Sequence, residues 1–170
     1  MHKKQKILQD NTVYDYALAL LERRGVQLTD IAEIVYDLQK DYVEGLNLDT
    51  CLENINAVLM KREVQNAIIT GIELDMAADQ GHLSPILSDM LKRDEGLYGI
   101  DEILVLSIVN VYGSIGFTNF GYVDKIKPGI VGRLNADKVT QCNTFIDDIV
   151  GAIAAAAASR IAHAQPAAKN

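Results

Sequence analysis

The chain has 170 residues, of which 49% are hydrophobic and 23% are charged, and these proportions exclude a wholly disordered protein. Its 16 Lys and Arg residues against 23 Asp and Glu residues give a net charge of −7. This charge disfavours a sequence-independent nucleic-acid-binding protein, because a phosphate backbone would be repelled. An anionic substrate is compatible with it only where a cation, such as a metal ion, reverses the local field.

The first half of the chain has the pattern of five amphipathic helices. Each has apolar residues at helical spacing on one face and a recognisable start or stop signal, such as Gly25 or the pair Ser84-Pro85. The helices are predicted over residues 13–24, from residues 29–30, from residues 47–49, over 64–81 and over 84–93.

The second half is more apolar. A helix is predicted from about Gly99 to Tyr112, followed by a long glycine-containing loop through Pro128. The segment 113–116 lacks the Lys of a phosphate-binding loop and is interpreted as a turn. The uncharged stretch 103–123 is interrupted by polar residues, so we interpret it as a buried helix and a loop rather than a membrane-spanning helix. The last helix begins near Asn143-Thr144 and contains the five alanines of 154–158, which predicts a central, closely packed helix.

These patterns, with only three prolines and no tryptophan, favour an all-α fold: a single-domain, multi-helix bundle with a buried Ala-rich C-terminal helix. We expect residues 1–60 to pack as a helical segment on a core formed by residues 61–164, with a frayed tail over 165–170. Cys51 and Cys142 show no metal-binding spacing, which is typical of reduced thiols in a cytoplasmic protein.

Acidic residues are distributed unevenly along the chain. The pair Asp101-Glu102 begins the apolar helix, and the pair Asp147-Asp148 lies in the first turn of the Ala-rich helix. Each pair alone is explained by helix capping, and Thr144-x-x-Asp147 resembles a capping box. However, the residues after Asp148 leave almost no polar face, and two buried carboxylates on an apolar helix require a cation.

Both pairs, together with Asp124 and Lys127 on the predicted loop, make a candidate site with oxygen ligands. Carboxylates without neighbouring His or Cys suit Mg²⁺ rather than zinc. Mg²⁺ commonly binds through a few carboxylates and a substrate phosphate, while a nearby Lys neutralises a phosphate oxygen. This combination is typical of phosphoryl chemistry.

Three ordered motifs resemble those of the phosphatidylglycerophosphatase A family, and in particular its small soluble branch from Bacillus-type bacteria. Asp94–Glu102 matches D-x-G-x4-D-E. Phe120–Pro128 matches F-R-x-x-D-x-x-K-P, with Gly121 in place of the Arg. Ile146–Ala152 matches I-D-D-[IV]-x-A-G, with the last two residues exchanged.

The resemblance implies an all-α fold and the Mg²⁺-dependent hydrolysis of phosphatidylglycerophosphate to phosphatidylglycerol and phosphate, a step of phospholipid biosynthesis. It implies metal-binding carboxylates at both acidic pairs, with Asp94 as a further candidate. The residues expected to act in the reaction are Asp101, Glu102, Asp124, Lys127, Asp147 and Asp148.

The expected partner is therefore a phospholipid head group or another phosphomonoester, and no nucleic acid. We also expect peripheral contact with the membrane, and a homo-oligomer, because the Ala-rich helix suits subunit packing. Two alternatives remain open. One is a non-catalytic metal-binding helical protein; the other is an all-α Mg²⁺-dependent nucleotide pyrophosphohydrolase, although its paired ExxE and ExxD motifs are not found.

Overall fold

The computed structural model describes residues 10–165, which form nine α-helices, one short 3₁₀-helix and no β-strand. The all-α, single-domain architecture expected from the sequence is confirmed. Residues 1–9, and all but the first residue of the expected tail, lie outside the described range. The helices are α1 (Asp10–Arg23), α2 (Leu28–Gln39), α3 (Leu48–Leu59), α4 (Arg62–Asp79), α5 (Pro85–Lys92), α6 (Ile100–Val109), the 3₁₀ turn Asn110–Tyr112, α7 (Gly113–Ile126), α8 (Gly129–Ala136) and α9 (Ile146–Ala164).

Helix α9 is the centre of the molecule. All its side chains from Ile146 to Ser159 are buried, and it packs against α2, α3, α4, α6, α7 and α8. Alanines 154–158 have no exposed surface, so neighbouring backbones approach α9 closely. The predicted central helix is thus confirmed. The alanines are covered by the chain itself, so the expectation of a homo-oligomer no longer rests on them.

Gly71 marks a close approach of α4 to the start of α9. A Cβ atom added at this position would lie 2.6 Å from Ile149 Cδ1 and 3.0 Å from Phe145 Cβ. These contacts are shorter than van der Waals separation, so the two helices can cross at this distance only because residue 71 has no side chain.

Gly71→Ala is therefore expected to destabilise the fold by about 1–3 kcal/mol through overpacking. Since 1 kcal/mol corresponds to about 2–4 °C in Tm for a chain of this size, thermal unfolding would detect the change. Gly121→Ala is the matched control, because a Cβ at that helical position meets nothing within 4 Å; it should leave Tm unchanged or raise it. Equal effects of both substitutions would contradict the close approach.

The predicted loop over residues 113–128 is wrong, since most of it forms helix α7. The chain turns between the 3₁₀ turn and α7 at Gly113, which has φ +69°. Gly116 packs its backbone against Val109 and Tyr112. The glycines therefore serve a sharp turn and a close contact instead of a loop. Helix α8 was also absent from the prediction.

Helices α6 and α7 form an apolar hairpin. In the described part of the chain, Ile100–Ile126 is one segment that is long and apolar enough, by length and composition, to cross a membrane, with a mean hydropathy of 1.5. A straight helix of its 27 residues would be about 40 Å long. However, Asp101 and Asp124, near its two ends, line the same small cavity, so the segment folds back on itself.

Candidate active site

The three motifs meet at one cavity of about 160 Å³. It lies where the start of α6, the end of α7 and the start of α9 converge, beneath the loop 94–99. All six residues expected to act in the reaction line it, together with Asp94. Its other lining residues are Glu95, Gly96 and Gly99, which the sequence patterns did not single out as functional.

Asp147 and Asp148 form the buried floor of the cavity, with only 6% of each side chain exposed. Burial raises the pKa of Asp147 to about 6, although the Lys127 ammonium opposes the rise. Burial and the adjacent Asp147 carboxylate raise the pKa of Asp148 to about 8. Two adjacent carboxyl groups in this position hold more negative charge than the surrounding protein neutralises.

Lys127 is the cation of the site. Its Nζ donates to Asp124 Oδ1 at 2.8 Å and to Asp147 Oδ2 at 3.2 Å, and it lies 3.8 Å from Asp148 Oδ1. Burial lowers the pKa of Lys127, but these carboxylates outweigh that effect and hold the pKa above its ordinary value. Asp124 is in the last turn of α7 and not on a loop as predicted. Lys127 is the residue after that helix and lies in the short connection to α8, as expected.

Asp101 and Glu102 complete the acidic wall from the first turn of α6. Burial, with the nearby Asp94 and Glu102 carboxylates, raises the pKa of Asp101. Asp94 also forms an ion pair with Lys138 that joins the loop 94–99 to the loop after α8. The Tyr98 ring packs edge-on against Phe145 at 5.8 Å, which fixes this loop on the start of α9.

The donor set fits Mg²⁺ in its chemistry, because every candidate ligand is a carboxylate oxygen. Burial and neighbouring carboxylates raise the pKa values of Asp101, Asp147 and Asp148, and a bound cation would favour the ionised forms. Among the described residues, no three His, Cys, Asp or Glu side chains are already grouped as a metal site. The Lys127 ammonium lies among the carboxylates instead. Binding of an ion therefore requires these side chains to rotate towards it.

The capping box expected at Thr144-x-x-Asp147 does not form. The Thr144 hydroxyl donates to the Leu91 carbonyl at 2.6 Å, and Asp147 Oδ1 accepts from the Asp148 amide at 3.0 Å. The amides of Phe145 and Ile146 are bound by Asp75 of α4.

Sequence reasoning missed Asp75, and a signal was available. Asp75 lies on the same helical face as Ile68 and Ile72, both fully buried, so an acid interrupts an apolar stripe. Burial raises the pKa of Asp75 to about 7, against the lowering effect of the Phe145 and Ile146 amides. An acid in an apolar stripe needs donors, and these are at the start of α9.

The position of Lys127 depends on a close contact with α8. Lys127 has a left-handed backbone, with φ +51°, and a Cβ added at Gly132 would lie 2.5 Å from the Lys127 carbonyl oxygen. Only glycine at position 132 therefore leaves room for the Lys127 backbone.

Gly132→Ala should displace Lys127 and lower Tm by about 2–10 °C, because the clash is with backbone rather than with a flexible side chain. If the cavity hydrolyses a phosphate ester, as its motifs predict, the rate should fall by about ten-fold or more, since small displacements at a reacting centre have large effects. A variant with full activity and unchanged Tm would show that the contact relaxes without moving Lys127.

Comparison with known proteins places the chain in a family. The family model for phosphatidylglycerophosphatase A matches residues 18–163. The uncharacterized protein YutG of Bacillus subtilis (strain 168) is 61% identical over 147 residues, which are 86% of this chain and 89% of YutG.

Two solved structures are also similar, each with a TM-score of 0.87. A protein of unknown function from Bacillus stearothermophilus is 61% identical, and the match covers 90% of this chain and 95% of that one. The low temperature requirement C protein from Listeria monocytogenes is 58% identical, with coverage of 91% and 98%. The family model spans all three motifs that converge on the cavity, and the chain belongs to the phosphatidylglycerophosphatase A family.

Proposed function

We propose that the protein is a Mg²⁺-dependent phosphatase that hydrolyses phosphatidylglycerophosphate to phosphatidylglycerol and phosphate. The observation that supports it most is the convergence of six residues from three separate motifs on one cavity, in a chain that belongs to this family. In the net reaction a water oxygen becomes bonded to phosphorus, the ester P–O bond breaks, and a proton from water is transferred to the alcohol product; the group that first attacks phosphorus is either water or a carboxylate of the site.

Each residue has a proposed part in binding and orienting the phosphate. Mg²⁺, when bound, neutralises phosphate charge and polarises the P–O bonds. The carboxylates of Asp101, Glu102, Asp147 and Asp148 would hold it. The Lys127 ammonium pairs with a phosphate oxygen, and Asp124 fixes that ammonium at the cavity through its 2.8 Å contact.

Peripheral contact with the membrane is proposed for the surface beside the cavity. Leu97, in the loop that lines the cavity, is 95% exposed, and Val139 is 94% exposed. Val139 follows Lys138, which forms an ion pair with Asp94. Exposed aliphatic side chains and a lysine next to an acidic cavity suit a cytoplasmic protein that reaches a phosphorylated head group at a bilayer surface.

The experiment is a phosphate-release assay with and without Mg²⁺ for wild type and Asp148→Asn. Its substrates are phosphatidylglycerophosphate in vesicles, a soluble phosphomonoester and a nucleoside triphosphate. Mg²⁺-dependent release from the lipid supports the proposal. Release from the soluble ester alone would support a phosphatase but exclude the lipid as its substrate. Release of pyrophosphate from the nucleotide alone, detected as phosphate after addition of an inorganic pyrophosphatase, would favour a pyrophosphohydrolase.

A non-catalytic protein is the second candidate, favoured by the contacts of Lys127. Its ammonium lies within 4 Å of three carboxylates, so the cavity already holds a cation of its own. On this alternative the acids and Lys127 form a structural ion cluster. No release of phosphate or pyrophosphate from any of the three substrates, with or without Mg²⁺, would support it.

A further inference from the structure

Asp75 is a buried carboxylate that contacts the start of α9 without lining the cavity. None of its surface is exposed. Both of its carboxylate oxygens accept from the Phe145 amide at 3.1 Å, and Oδ2 also accepts from the Ile146 amide at 3.0 Å. These two residues come immediately before Asp147 and Asp148, so Asp75 binds the chain directly beside the acidic floor of the cavity.

The N-cap residue of α9 provides no side-chain acceptor for the first amides of the helix. This residue is Phe145, whose ring offers no acceptor, and the local acceptor Asp147 Oδ1 binds the Asp148 amide instead. The Thr144 hydroxyl donates away from the helix, to Leu91. The first amides of a helix need hydrogen-bond acceptors. Asp75, from α4, is the acceptor for these amides. Its negative charge is also favourable near the positive N-terminal end of the helix dipole.

A second contact from α4 holds the preceding residues. Asp79, one turn after Asp75, accepts from the Cys142 amide at 2.8 Å and from Arg24 Nη1 at 2.9 Å. Arg24 Nη2 in turn donates to the Cys142 carbonyl and, at 3.2 Å, to Asn143 Oδ1. The segment that leads into α9 is therefore held by two residues of α4, Asp75 and Asp79, which are one helical turn apart.

We propose that Asp75 is a positioning residue for the acidic cavity: by holding the Phe145 and Ile146 amides, it places the Asp147 and Asp148 carboxylates. The inference rests on the proposed function, because it assigns those two carboxylates to metal and phosphate. Asp75 lines no part of the cavity, so its effect on ligands passes through the first turn of α9.

Asp75→Asn tests this, because it preserves the size of the side chain but replaces one acceptor oxygen with a donor NH₂ group. Calorimetric titration of Mg²⁺ into the full chain should show binding about ten-fold weaker than in wild type, as for groups that orient metal ligands. In the metal-free protein, the Ile149 amide, which donates to the Phe145 carbonyl, should exchange its hydrogen about ten-fold faster or more.

Ile55→Val is the control, a mild loss of volume at a fully buried site in α3. It should leave both the Mg²⁺ affinity and the Ile149 exchange unchanged. If Asp75→Asn does not fold, Asp75→Ser repeats the measurements with a smaller group that leaves room for water. Failure of both variants to fold would overturn the inference in favour of a purely structural cap.

The two measurements separate this inference from the proposed function. Unchanged Ile149 exchange in Asp75→Asn would overturn the positioning role whether or not the protein binds Mg²⁺. Faster exchange with unchanged Mg²⁺ affinity would also overturn it. Faster exchange in a protein whose wild type binds no Mg²⁺ would support the positioning of the acids while the metal-dependent function fails.

Discussion

Asp148→Asn is expected to abolish most phosphate release and yet to stabilise the metal-free protein. If Asp148 holds the metal or moves a proton, its loss should lower the rate by about 100-fold or more. The substitution also removes a carboxyl group whose pKa is raised to about 8 by burial and by Asp147. The same residue should therefore support activity and weaken the fold, which is common at functional sites.

The size of the stability effect depends on pH. Because the pKa of Asp148 is higher in the folded chain than in the unfolded one, its contribution to stability is present below about pH 4 and is lost as the pH rises towards 8. The side chain of the Asp148→Asn variant does not ionise, so the variant does not lose stability at this position as the pH rises. In thermal unfolding without Mg²⁺ its Tm should exceed that of wild type by about 2–6 °C at pH 8, with a smaller difference at pH 5.

Asp49→Asn, which removes the same charge from an exposed position on α3, is the control for net charge. It should alter neither the rate nor the pH dependence of Tm. Full phosphatase activity in Asp148→Asn would exclude Asp148 from the reaction, and a lower Tm at pH 8 would contradict the unneutralised charge inferred for the cavity.

Lys127→Met should weaken the fold and strengthen metal binding. It leaves Asp124, Asp147 and Asp148 without their shared cation, which we expect to cost about 1–3 kcal/mol at pH 8. This is below the range for a fully buried pair, since 27% of the Lys127 side chain is exposed.

Because the ammonium competes with Mg²⁺ for these carboxylates, its removal should raise Mg²⁺ affinity by about ten-fold or more. Phosphate release should fall, because the proposed contact with a phosphate oxygen is lost.

The loss of stability in Lys127→Met should diminish as the pH falls to 5. Without the ammonium the pKa values of the Asp147 and Asp148 carboxyls rise further, and protonation then removes the repulsion between them. Chemical unfolding at pH 5 and pH 8, with and without Mg²⁺, measures this. Lys125→Met, at an exposed position in the last turn of α7, is the control. Unchanged Mg²⁺ affinity in Lys127→Met would mean that the ammonium and the metal do not share ligands.

The sequence was most informative where one local pattern dictated the structure. The apolar periodicity before Gly81 and the alanines of 154–158 predicted helices and their burial, and both are confirmed. The three motifs predicted which residues would meet, and all six line the cavity. Their roles in metal binding and hydrolysis stay predictions.

The sequence was least informative where tertiary contacts determine the local structure. Gly113 and Gly116 have the composition of a turn, but packing of α7 on α9 makes a helix of the residues around them. Thr144 and Asp147 have the spacing of a capping box, yet Leu91 accepts from the threonine hydroxyl. The acceptor for the first amides of α9, Asp75, comes from 70 residues away. Its position in an apolar stripe indicates that it needs donors, but not that these donors lie at the start of α9.

The central place of α9 also has a consequence for synthesis of the chain. This helix follows the other eight of the described range, and the inner faces of six of them pack against it. While the chain emerges from the ribosome at about 5–20 residues per second, those faces have no partner for the seconds before α9 appears. The nascent protein therefore exposes aliphatic surface of the kind that chaperones bind, and the acidic cavity assembles only after translation has passed Asp148.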